Sequence, residues 1–433
     1  MKTTLFVRIS LVLSLVAASV LPGCGGGGSE YDSIVPDTIV EETFTTQTAD
    51  DWTIALHRYR RSSGTAYREP VLLSQGYLEG SKVFNAFPKF SLASKLALQG
   101  YDVWDYDIRG VGDSQKPEIN WSNINFTIDW TTLDWSFGME GWDYGMEHFV
   151  LLDTPAAMDF VLKATGAPQV IWIAHSLGAL MQYAYLQTSD ASKVKAAVSM
   201  GGIGYIVPGT NYDSLFADFF YGIGTFLAPL LPSNLPLPLK WALEKLLGND
   251  PLLWAAASYG LCTVAGKLFW NYENMNPNLV YQFLKYSLPN TTTNCFKQFM
   301  EWAKTGDCKL NGVTIPSSST SGGSGAGNAG FPIVAGPDGD VTIGQDYSVT
   351  QNLWRVDRPL LLLSGGADLM SAPSHSIEVY QRVSSSQKKY VECSKATGHA
   401  VDYGHVDMVC GLNANKEIYS HVGNWLEGYA TRQ

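Results

Sequence analysis

The sequence predicts an α/β protein, a mostly parallel sheet covered on both faces by helices, with one large insertion. Three observations carry this. Short apolar strands alternate with segments of helical spacing, which calls for crossovers between parallel strands. The alternation stops near Gly204 and resumes near Leu360, so a single fold is interrupted once. Finally, the stretch VIWIAHSLGA, Val170 to Ala179, runs from an apolar strand straight into helix-forming residues.

Taken in order, Glu41 to Arg60 alternates as two strands of a hairpin. Pro70 to Ser74 is a short buried strand closed by Gly76, Ser91 to Gln99 has helical spacing with a stop at Gly100, and Tyr101 to Tyr106 is the next strand. Met158 to Thr165 reads as a helix, Val170 to Ile173 as a strand, Leu177 to Leu186 as a helix and Val194 to Ser199 as a strand. Beyond the insertion come the strand Leu360 to Leu363, a helix around Ile377 to Val383, the strand Lys389 to Glu392 and a last helix, Ala414 to Tyr429. The predicted organisation is a core of residues 41–203 and 353–433 around a helical cap at 204–352. That cap holds the apolar Leu215 to Leu231, the helix Leu239 to Leu247 and the Ser/Gly-rich Ser317 to Gly330.

The 433 residues allow one large domain with an inserted subdomain, or two modest domains. With 16% charged residues and a formal charge of −11, a broad basic face is disfavoured and no nucleic-acid partner is expected. Lys2 and Arg8 precede the apolar run Ile9 to Leu21, the layout of an export signal over residues 1–23. The junction before Cys24 resembles a bacterial lipoprotein cleavage site with residues 24–40 as linker, although Pro22 departs from that pattern and leaves ordinary secretion open. Asn120, Asn125 and Asn290 sit in glycosylation-type triplets, which carry little weight for a bacterial chain. None of the other five cysteines, Cys262, Cys295, Cys308, Cys393 and Cys410, belongs to a C-x-x-C pair, so no metal is expected. In an oxidising compartment, Cys295 with Cys308 is the most natural bridge.

Chemistry concentrates at Ser176. A residue on a sharp strand-to-helix turn has strained backbone angles, and side chains two positions either side would collide with the adjoining strand and helix. Here those positions hold Ala174 and Gly178. The turn raises the hydroxyl to a helix N-terminus, where N–H groups favour developing negative charge. The competing reading is a helix-capping serine. A serine nucleophile needs a base oriented by an acid, and both are expected downstream. Asp368 follows a strand in Ser364-Gly-Gly-Ala-Asp368 and would be the acid, or a cap for the next helix. The base lies between His399 and His405. Position favours His405, directly before the last helical region, with His399 in reserve. The N–H groups of Leu177 and of Tyr77, after the flexible Gly76, would form the oxyanion hole.

TADDWTIALHRY, PVLLSQGYLEGSKVF, GYDVWDYDIRG, WDYGMEHFVLLDTPAAMDFV, LLSGGADLMSAP and YGHVDMV occur in that order. Together they resemble the acid lipases of the α/β-hydrolase superfamily over most of residues 41–429. The resemblance implies Ser176 as nucleophile, Asp368 as acid, His405 as base, and Tyr77 and Leu177 as oxyanion donors. The chain departs from that family at Gln75, where a histidine is usual, at Ala174, where the first elbow glycine is usual, and in its Ser/Gly-rich loop.

The expected function is a serine carboxylic ester hydrolase, a lipase or esterase that works through an acyl-enzyme without a cofactor. Its partners would be lipid ester substrate and a lipid interface, with Trp121, Phe126, Trp130, Trp135 and Trp142 near the site or packed on the core. An acyltransferase or thioesterase would use the same residues, and a non-catalytic lipid-binding protein would use only the scaffold. Labelling of Ser176 by a fluorophosphonate separates the last of these from the enzymes.

Overall fold

The computed structural model describes residues 39–85, 90–129, 134–206, 222–263, 265–317, 330–336 and 338–433. The expected export signal, Cys24, residues 215–221, residues 318–329, Trp130 and the side chain of Trp135 lie outside the described part.

Eight strands form the main sheet. They are β1 (Ile39–Gln47), β2 (Thr53–Arg61), β3 (Val71–Ser74), β4 (Val103–Tyr106), β7 (Val170–His175), β8 (Val194–Met200), β14 (Leu360–Gly365) and β15 (Lys388–Cys393), in the spatial order β1-β2-β4-β3-β7-β8-β14-β15. The expected hairpin is β1 with β2; β2 also runs antiparallel to β4, and every later pairing is parallel.

Alternation along each strand divides the core between the two faces. Leu72, Trp104, Trp172 and Leu362 pack on one side with the helices Thr154–Thr165 and Leu177–Leu186. Val71, Leu73, Ile171, Ile173, Leu361 and Leu363 pack on the other with Leu92–Leu98 and Ile418–Glu427. Burial on both faces explains why these strands read as unbroken apolar runs rather than as alternating ones. Each fully buried Leu or Ile contributes about 1.5–3 kcal/mol.

The segment 204–352 contains helices at 222–227, Leu239–Leu247, Pro251–Thr263, Pro277–Gln282 and Thr293–Thr305. It is not purely helical. A small antiparallel sheet joins Val313–Ile315, Val341–Ile343 and Ile333–Ala335, and Pro236–Leu237 pairs with Thr291–Thr292. The aromatic stretch ahead of the helix Thr154–Thr165 also forms a hairpin, Ile124–Asp129 with Asp134–Met139. Among the described residues no helix is long and apolar enough to cross a membrane.

The expected Cys295–Cys308 bridge is not present, and both are buried free thiols. Cys295 sits in the first turn of the helix Thr293–Thr305 and Cys308 lies beyond its end. The helix between them rises about 1.5 Å per residue, which holds the sulfurs at opposite ends of a rigid rod.

The parallel strands all point their carboxyl ends at one edge of the sheet. That edge receives the loop after β3, the turn after β7, Gly201 after β8, the loop after β14 and the loop after β15. In open α/β sheets such an edge is where ligands bind.

Candidate active site

Ser176 joins β7 to the helix Leu177–Leu186 with φ 53° and ψ −118°, a backbone conformation that costs a side-chain-bearing residue strain. Close packing explains the small neighbours. A Cβ on Gly178 would lie 2.4 Å from the Ser74 carbonyl oxygen and 2.8 Å from that of Gln75. Ala174 is fully buried in β7, so one methyl fits where the second small residue was expected. The Ser176 N–H donates to the Met200 carbonyl at 3.0 Å, and its own carbonyl accepts from Ala179. The capping reading fails here, because the serine side chain makes no cap hydrogen bond to its helix.

Asp368 and His405 meet at this edge. The His405 Nδ1 lies 2.8 Å from the Asp368 Oδ2. The other oxygen, Oδ1, accepts the N–H groups of Met370 at 2.9 Å and Ser371 at 2.7 Å. Asp368 therefore holds the turn ahead of the helix Pro373–Arg382 without capping it, since the N-cap position of that helix is Ala372 with no side-chain cap, and Asp368 faces the imidazole. Gly201 locates the pair relative to the serine. A Cβ there would lie 3.1 Å from Asp368 Oδ2 and 3.2 Å from His405 Nδ1, and the preceding residue, Met200, is the acceptor of the Ser176 N–H. Ser176 is 3% exposed and His405 4%.

His399 is not part of this group. Its Nε2 lies 3.1 Å from His421 Nε2 and its Nδ1 3.0 Å from the Thr397 hydroxyl. His375 is buried near both Asp368 and His405. Burial pushes its pKa down to about 4, so it stays neutral.

Leu177 opens its helix, where the first N–H groups have no intrahelical acceptor. Tyr77 follows Gly76 on the loop after β3, and a Cβ on Gly76 would come within 2.8 Å of the Ser176 Cβ. The loop therefore lies directly against the serine. The Tyr77 hydroxyl accepts from Thr291 at 3.3 Å and its ring packs 5.7 Å from that of Phe299, which ties the loop to the inserted segment. The aromatic run divides. Trp142 is buried and donates its indole N–H to the Glu118 carbonyl at 3.1 Å, the core-packing outcome. Phe126 is exposed on the hairpin and Trp121 in the turn before it, 6.4 Å from the ring of Trp241.

Two charged residues at this site were not singled out from the sequence. Glu79 and His175 are both buried, and Glu79 Oε2 lies 2.8 Å from His175 Nδ1. The identity of His175 as the residue before Ser176 was plain, but only the fold brings Glu79, four positions past Gln75, beneath it.

The fold and the strained serine turn define the class, and the sequence comparison agrees: the chain belongs to the alpha/beta hydrolase fold family, whose model matches residues 69–409. Within that class it is acid-lipase-like. Lipase lipl-1 of Caenorhabditis elegans is 24% identical over 399 residues, covering 87% of this chain and 85% of the relative. Mouse Lipase member N is 22% identical over 407 residues, covering 90% and 88%. Human gastric triacylglycerol lipase is 20% identical over 401 residues, covering 88% and 86%.

Proposed function

We propose that this protein is a serine hydrolase of lipid carboxylic esters. The observation that carries the reading is Ser176 on a positive-φ strand-to-helix turn beside a buried histidine–aspartate pair. The full-length likeness to proteins named as lipases supports the substrate class.

In this mechanism the Ser176 Oγ attacks the ester carbonyl while His405 Nε2 takes its proton. Asp368 fixes the ring with Nδ1–H toward the carboxylate, so that Nε2 is the basic nitrogen, and it stabilises the imidazolium that forms. The N–H groups of Tyr77 and Leu177 receive the oxyanion. Collapse expels the alcohol, which takes the proton from Nε2. Water, deprotonated by the same nitrogen, then attacks the acyl-enzyme, releases the carboxylic acid and restores the serine. The inserted segment exposes Phe226, Leu230, Leu246 and Leu252. Exposed apolar side chains of this kind suit contact with a lipid interface. The charged start and apolar run of residues 1–23 support export, either with Cys24 as a lipid-anchor site or by ordinary secretion.

The test is hydrolysis of p-nitrophenyl esters from acetate to palmitate, and of emulsified triacylglycerol, by the wild type and Ser176→Ala. Activity that rises with chain length and is lost in the variant is the expected result. A short-chain preference would make the enzyme an esterase. Inactivity of the wild type on every ester would overturn the reading.

A further inference from the structure

We propose that Glu79 and His175 form a buried positioning pair that ties the oxyanion loop, the nucleophile turn and the base loop into one rigid unit. The inference rests on the hydrolase reading above and deepens it.

The contacts come from three different loops. Glu79 Oε2 accepts the Gly76 N–H at 2.9 Å, fixing the loop that carries Tyr77. The same oxygen meets His175 Nδ1 at 2.8 Å, and His175 is covalently joined to Ser176. On the far side of the ring, His175 Nε2 donates to the carbonyl oxygen of His405 at 3.1 Å. The two imidazole rings lie 4.7 Å apart. One carboxylate and one imidazole thus contact the oxyanion loop, the nucleophile turn and the base loop.

The protonation state follows from the partners. A carbonyl oxygen only accepts, so Nε2 carries a proton; a carboxylate also accepts, so Nδ1 carries one too. His175 is an imidazolium paired with an ionised Glu79. Burial opposes both charges, but the mutual attraction outweighs it: the carboxyl is held below its ordinary range and the imidazole above its own. The charged and titratable groups facing the pair are His405, Asp368 and Cys410.

The loop itself explains why such a clamp is needed. Leu78 has φ 62°, a costly conformation for a branched apolar residue, and this turn brings Glu79 back onto Gly76. Gln75 occupies the place where the resembling family has histidine, and among the described residues neither atom of its side-chain amide has a hydrogen-bond partner. The side chain at position 75 therefore does not hold the loop; Glu79 does. Loss of the clamp would let the oxyanion donor drift, and displacement of a catalytic group by about 1 Å costs about 100-fold in rate.

The experiment compares the wild type with Glu79→Gln, His175→Gln and the double variant on p-nitrophenyl butyrate, normalised to sites labelled by a fluorophosphonate. The expected result is a kcat about 10- to 100-fold lower in each single variant with KM nearly unchanged, because neither side chain touches substrate. The double variant should recover part of the loss, since two amides restore a neutral hydrogen-bonded pair. The alkaline limb of the kcat profile should move to lower pH in Glu79→Gln, because His175 gives up its proton sooner without the carboxylate. If the variants melt at lower temperature yet keep wild-type kcat and pH profile per labelled site, the pair is structural only and the proposal is overturned. If a single variant fails to fold, the other single and the double variant still decide between these results. A wild type that neither turns over ester nor labels at Ser176 overturns the hydrolase reading itself, and the positioning role with it.

Discussion

His57 and His405 both bring Nδ1 to a buried aspartate at 2.8 Å, Asp105 in one case and Asp368 in the other. They differ at the second nitrogen. His57 Nε2 meets a second carboxylate, Asp113, at 3.0 Å. Burial works against charge on this ring, but the Asp105 hydrogen bond and the surrounding carboxylates prevail and push its pKa up to about 9. His57, Asp107 and Asp113 lie close enough together to share a cation, yet with both ring nitrogens facing carboxylates the ring itself is that cation. Among the described residues, the only ring hydrogen bond of His405 is to Asp368. A histidine hydrogen-bonded on both sides is a clamp that holds β2 to β4 and to the loop after it. A histidine oriented on one side keeps a lone pair for chemistry. In the proposed mechanism, the difference between a structural and a catalytic histidine is one carboxylate.

The comparison is sharpened most strongly at the site. Ser176→Ala or His405→Gln is expected to lower kcat by about four to six orders of magnitude with little change in fold, checked by ester hydrolysis and circular dichroism. His57→Gln should do the reverse. Its kcat per labelled site stays within about twofold of wild type, while urea denaturation shows a loss of about 3–5 kcal/mol because Asp105 is left buried without its cation. A large fall in kcat with unchanged stability in that variant would break the contrast.

A pH series gives a smaller effect. The folded His57 holds its proton to about pH 9, whereas the unfolded residue releases it near pH 6.5. The stabilisation is therefore complete below about pH 6.5 and is lost as pH rises through about 9, a change of about 3 kcal/mol. Denaturation midpoints of the wild type should fall across that window, and those of His57→Gln should fall less. The smallest effect is expected at His399, the alternative base. His399→Ala removes a surface contact to His421, so activity should stay within about twofold and stability within about 0.5 kcal/mol. A loss of several orders of magnitude there would reassign the base.

What was legible in the sequence is what depends on local pattern. Buried parallel strands are apolar runs, so β3, β7, β8 and β14 stood out with ends within a residue or two, and a serine between Ala174 and Gly178 marked its own turn. Asp368 was placed by the strand before it and His405 by the helical region that follows it. Two of the pieces that were missed depend on distant partners. Glu79 resembles any surface acid in a glycine-bearing loop until the fold brings His175 onto it. His57 gives no local sign that Asp105 and Asp113 will close on both sides of its ring. The hairpin at 124–139 was missed although its pattern is local, since Ile124, Phe126 and Ile128 alternate with Asn125, Thr127 and Asp129, and the Cys295–Cys308 bridge was inferred from spacing alone, which carries no knowledge of the helix between them.

The most direct test of the contrast is the rate of fluorophosphonate labelling, with the adduct mapped by mass spectrometry, in wild type, His405→Gln and His57→Gln. The account predicts an adduct on Ser176 that forms at the wild-type rate in His57→Gln and at least about 100-fold more slowly in His405→Gln. Labelling of another residue, or equal rates in wild type and His405→Gln, would contradict it.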